Sequence, residues 1–194
     1  MADFKTILTS LAIFFMLSML LFAQTSCTQP PVATYVSNLP AIKPEGEFFN
    51  LRNAVLTNNA SEVGVLFADE YFEDKQNLFL QKFELGTQFI SEFSFMFQNY
   101  MFENKESEQN YKYDEKGNFV LGRGHTVFEG TLMKTVDDSV PVPASMLKIA
   151  KNSESTGSIP EKVHIYAIWV ADNIGWKIMH MEINEINLEE LLVK

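Results

Sequence analysis

EKVHIYAIWVADNIGWKIMHMEIN, residues 161–184, decides the fold. Two apolar-rich runs flank Asp172-Asn173-Ile174-Gly175, a cluster of turn-forming residues, and together they read as an antiparallel hairpin. Pairing Ala171 with Trp176 across that turn predicts Trp169 beside Ile178, Ala167 beside His180 and Ile165 beside Glu182. One face of the hairpin is then apolar with two ionisable groups, and the small Ala167 leaves room around the His180 ring. The other face carries His164, Tyr166, Met179 and Met181, which suits a contact between two copies or a second packed layer. A one-residue bulge at the turn would exchange the faces.

Working back along the chain, residues 100–136 alternate polar and apolar side chains on either side of Lys116-Gly117, so a second hairpin of two long strands precedes the first. Between the hairpins, residues 137–160 hold three prolines and a Ser/Gly cluster; they read as an irregular connection with a short helix around Ala144 to Lys151. Residues 45–58 place Phe48, Leu51, Val55 and also Phe49, Arg52, Leu56 at helical spacing. Ser61 then offers an N-cap for a second helix over residues 61–74, with Val63, Leu66, Phe67 and Tyr71 along one stripe. A third helix is expected from Gly86 to about Phe97, carrying Phe89, Ile90, Phe93 and Phe97, while residues 78–80 fit a short strand or a bend equally well. Helices followed by antiparallel strands make an α+β domain.

The N-terminus reads as an address. Residues 7–23, ILTSLAIFFMLSMLLFA, follow a start carrying Lys5 and precede small and polar residues, so residues 1–26 have the grammar of a signal peptide and imply secretion. As a membrane anchor the run stops short of the ~20 residues a span needs and lacks a basic stop-transfer cluster, so no stable membrane span is expected once the signal is cleaved. Ser26-Cys27 offers an alternative, a bacterial lipobox in which Cys27 receives a lipid and holds the chain at the envelope. Gln24, where that motif wants an apolar residue, and Asp3 beside Lys5 depart from it. Residues 27–44, with four prolines, form a linker, and residues 45–194 form the folded domain. Cys27 is the only cysteine, so the fold relies on packing. Asn59-Ala60-Ser61 matches an N-glycosylation acceptor if the cell is eukaryotic, and suits an exposed bend.

Composition narrows the function. A net charge of −10, with basic residues scattered among acidic ones, argues against nucleic acid and against anionic membrane surfaces. The 17 Phe residues supply either an ordinary core or a greasy cavity. No HExxH, CxxC, Gly-rich phosphate loop or GxSxG occurs, and three well-separated histidines do not space a metal site, so neither metal nor cofactor is expected.

The order of elements, the string VLFADEYFED, and the last hairpin with its Trp176-Lys177-Ile178 re-entry and His180 resemble the SnoaL-like branch of the nuclear transport factor 2-like superfamily over about residues 45–184. The resemblance implies N-terminal helices on a curved antiparallel sheet, forming a cone with a central cavity. Its members include isomerases, cyclases, dehydratases and domains without assigned activity. Phe67, Tyr71, Trp169, Ile178 and His180 are then expected to line a pocket for a small apolar ligand. His180 with Glu182 two residues on is the best proton-handling pair, and Asp69 and Tyr71 are further candidates at the cavity mouth. His125 has no partner in sequence. Two functions follow: an exported ligand-binding or interaction domain, homodimeric through its sheet; or, alternatively, an isomerase or dehydratase using His180 or Asp69 on an apolar substrate.

Overall fold

A computed structural model describes residues 39–73, 75, 78–133, 140–152, 159–172 and 174–192. The signal-peptide reading, Cys27 and most of the linker lie outside them. Helices α1 (Pro44–Leu56), α2 (Ala60–Val65), α3 (Asp69–Glu73) and α4 (Lys82–Asn99) come first. Strands β1 (Tyr100–Tyr113) and β2 (Phe119–Leu132), helix α5 (Ala144–Asn152), strands β3 (Lys162–Ala171), β4 (Trp176–Ile183) and β5 (Ile186–Asn187), and helix α6 (Leu188–Leu192) follow. The five strands form one antiparallel sheet in the order β1-β2-β3-β4-β5, so the α+β class read from the sequence is the class observed. Among the described residues no helix is long and apolar enough to cross a membrane.

Helix α1 opens on Pro44, whose fixed φ suits a first turn, and carries Glu45 and Glu47 where the helix dipole favours negative charge. Of its two apolar stripes the chain buries Phe48, Leu51 and Val55, leaving Phe49 and Leu56 partly exposed. Phe48 stacks on Phe128 of β2 with ring centroids 3.7 Å apart. The second helix expected over residues 61–74 is broken in two. Its cap is Asn59, whose side chain accepts from Glu62 N, and not Ser61. At residues 66–68 the backbone leaves the helix to pair with β4: Ile178 N donates to Leu66 O at 2.8 Å and Ala68 N to Ile178 O at 2.9 Å. Hydrogen bonding to a distant strand thus outweighs local helix preference.

Helix α4 begins four residues earlier than expected and buries Phe89, Ile90, Phe93 and Phe97 as its spacing requires. Gly86 is a contact point, not a start: a Cβ there would run into the Ala60 carbonyl. Residues 78–80 are a bend that buries Phe79. Helix α5, at the position expected, docks through Glu92 of α4, which accepts from Ser145 N at 3.2 Å, while Ser145 Oγ donates to Glu92 O at 2.8 Å. The inner sheet face buries Thr126 and Phe128 of β2, Val163, Ile165, Ala167 and Trp169 of β3, and Trp176 and Ile178 of β4. Strand β5 and α6, not anticipated, follow a turn in which Asn184 and Glu185 take positive φ.

Candidate functional site

The last hairpin starts in the expected register, with Ala171 opposite Trp176, Val170 opposite Lys177 and Trp169 opposite Ile178. It then slips. The slip leaves Met179 unpaired, Ile168 faces His180, Ala167 faces Met181, Tyr166 faces Glu182 and Ile165 faces Ile183. The expected pairs Ala167–His180 and Ile165–Glu182 are therefore corrected, by a bulge inside β4 and not at the turn. An extra residue turns every later side chain to the opposite face. Trp176, Ile178, Met181 and Ile183 then all face the core, whereas an unbroken strand would bury His180 and Glu182 beside Trp176 and Ile178 and turn Met181 and Ile183 outward. The desolvation of two polar side chains is avoided by one irregular residue.

His180 and Glu182 consequently lie on the outer face of the sheet, away from Trp169 and Ile178. His180 Nε2 is 2.8 Å from Glu182 Oε1, both side chains about one-third exposed (28% and 33%). All three histidines of the chain share this face. His125 of β2 has Glu106 Oε1 at 2.9 Å and Glu108 Oε2 at 3.9 Å, both from β1. His164 of β3 has Glu129 Oε2 at 3.9 Å. Tyr166 lies between, its ring centroid 6.0 Å from that of His125, and Ile168 separates His125 from His180. Hydrogen bonding and charge from Lys162, reinforced by Lys105, hold the Glu129 carboxyl below its ordinary value.

No family model matches the chain, and no curated protein sequence matches it.

The remaining candidates fall elsewhere. Asp69, at the start of α3, is exposed and ion-paired with Lys82 at 2.6 Å, and that hydrogen bond holds its carboxyl below the usual range. Tyr71 is buried against Phe67, ring centroids 5.0 Å apart, and burial pushes its phenol far above the ordinary value. Lys75 sits 4.0 Å over the Tyr71 ring and forms an ion pair with Glu189 of α6. Phe67, Tyr71, Trp169 and Ile178 thus belong to the core, His180 to the opposite face of the sheet, and Asp69 to the surface. Phe48, Phe67, Phe89, Phe93, Phe97 and Phe128, all fully buried, belong to the same core cluster.

An open groove of about 530 Å³ lies on another side, lined by Thr57, Asn58, Asn59, Ala60, Ser61, Phe83, Thr87 and Ile90, and none of the five expected pocket residues borders it. Among the described residues no group of three or more His, Cys, Asp or Glu is placed to hold a metal ion. The partners that sequence reading missed are Glu106 and Glu108 for His125, and Thr126, whose Oγ1 accepts from buried Trp169 Nε1 at 2.8 Å. The alternation of Glu106 and Glu108 along β1 was the available signal for one carboxylate-bearing face.

Proposed function

We propose that this chain is an exported interaction domain that works through the outer face of its sheet, and that the partner there is a second copy of itself. The observation that carries this reading is the Met179 bulge, which turns His180 and Glu182 out of the interior and onto the face that already holds His125, His164, Tyr166 and Ile168. Carboxylates at Glu103, Glu106, Glu108, Glu129 and Glu182 interleave there with Lys105, Lys112, Arg123 and Lys162, so this face is near neutrality on a chain carrying −10. Two such chains repel one another least where charges of both signs alternate. Ile168, 38% exposed, supplies an apolar centre.

The apolar run of residues 7–23 supports export, with lipid attachment at Cys27 as the alternative route. The order of helices and long antiparallel strands supports the nuclear transport factor 2-like reading, with a cone whose hollow is taken up by Phe rings. The imidazole and carboxylate of His180 and Glu182 are close enough to share a proton, yet they stand on a face open to water. An enzyme handling an apolar substrate excludes water from its reacting groups, so binding is the better use of this surface.

Sedimentation equilibrium of the purified domain tests the reading. Wild type is expected to be dimeric, and Ile168→Lys monomeric and still folded, with a cooperative melt whose midpoint no longer rises with protein concentration. A monomeric wild type, or a dimer indifferent to Ile168→Lys, overturns the choice of face and partner.

A further inference from the structure

Asn59 is separate from the sheet face. The Asn59-Ala60-Ser61 sequence has the spacing of an N-glycosylation acceptor, and Asn59 is exposed in the turn between α1 and α2. Its Oδ1 accepts from Glu62 N at 3.1 Å, and its Nδ2 donates to Glu62 Oε2 at 2.9 Å. The acceptor also forms part of a wall: residues 57–61 line one side of the groove of about 530 Å³, and Phe83, Thr87 and Ile90 of α4 line the other. Phe83 is 60% exposed, an aromatic ring left open in the same groove that Asn59 lines. A pyranose presents C–H groups on one side and hydroxyls around its rim, which matches an exposed ring flanked by polar side chains.

We propose that Asn59 carries an N-linked sugar and that its first N-acetylhexosamine lies in this groove against Phe83. The modification rests on the export part of the function above, because the donor is a lipid diphosphate-linked oligosaccharide met on the export route. Asn59 Nδ2 bonds to the anomeric carbon of the sugar, the bond from that carbon to the diphosphate oxygen breaks, and the proton lost from Nδ2 leaves with the diphosphate. No oxidant or reductant takes part. One amide hydrogen and the whole of Oδ1 remain, so the bond from Glu62 N that starts α2 survives the attachment.

The test uses the full chain isolated from its own cells. After tryptic digestion, the peptide spanning residues 53–75 is expected to be heavier by a hexosamine-based glycan, and amidase release is expected to convert Asn59 to Asp. A mature N-terminus beyond residue 23 together with unmodified Asn59 overturns the glycan and leaves export standing; a retained N-terminal apolar run with unmodified Asn59 overturns both. For the seat in the groove, the acetyl methyl proton resonance of the first sugar is expected upfield of its position in a free glycopeptide, and Phe83→Leu is expected to return it there. An unshifted resonance in the wild-type glycoprotein overturns the seat.

Discussion

Glu189 is pulled two ways. Burial raises its carboxyl, but the Lys75 ammonium and the neighbouring Tyr71 hydroxyl lower it further, and the net position is below the ordinary value of 4.5. A carboxylate depressed in the folded state contributes stability that is complete above its unfolded value and is lost as pH falls through its folded one. The wild-type thermal midpoint is therefore expected to fall further between about pH 5 and about pH 3 than that of Glu189→Gln. At neutral pH the variant is expected to melt lower by roughly 3 °C, the size of one lost half-buried ion pair in a domain of this length. Asp69, Asp114 and Glu129 are also depressed, but they are common to both proteins and cancel in the comparison. Parallel falls in the two midpoints would show that Glu189 is not linked to folding. None of this was legible in sequence: Tyr71, Lys75 and Glu189 come together only because α6, a short helix after a positive-φ turn, folds back.

Helices α2 and α4 meet backbone to backbone. A Cβ on Gly64 would collide with the Lys82 carbonyl, and one on Gly86 with the Ala60 carbonyl. Alanine improves helix propensity by about 1 kcal/mol, whereas forcing a methyl group between two backbones costs about 1–3 kcal/mol or more. Gly86→Ala is thus expected to destabilise by ~2 kcal/mol in denaturant unfolding. Gly46→Ala is the comparison, because its Cβ would meet only the exposed Ile42 side chain, which can move; there the propensity gain should hold. Equal midpoints for the two variants would mean that α2 and α4 are less tightly apposed. At this scale the sequence was a good guide where local pattern decides: the spacing of Phe48, Leu51 and Val55, the Lys116-Gly117 turn, the α5 position. It failed where a distant partner decides. The pairing of residues 66–68 with Ile178 breaks a helix, and the Met179 bulge reverses a face, and neither partner is close in sequence. The reversal is what moved the candidate site, since Trp176, Ile178, Met181 and Ile183 are all apolar but do not share one parity.

At the scale of the whole molecule, the question is whether the space between helices and sheet can receive anything. Phe97 touches Phe48, Phe89 and Phe102, with ring centroids 5.9, 6.3 and 5.4 Å apart, and is fully buried. Removing its ring should cost about 3–5 kcal/mol, because the neighbours held by α1, α4 and β1 cannot all collapse into the gap. The void left by Phe97→Ala would be apolar and dry, and a small apolar probe such as benzene should bind it. Binding to the folded state alone raises its stability, so benzene is expected to raise the thermal midpoint of Phe97→Ala and leave wild type unmoved. A wild-type midpoint that climbs with benzene would mean that a hollow already exists among the rings. In that event the interior, and not the outer sheet face, becomes the place to look for a ligand, and the burial of Tyr71 beside Phe67 takes on a different meaning.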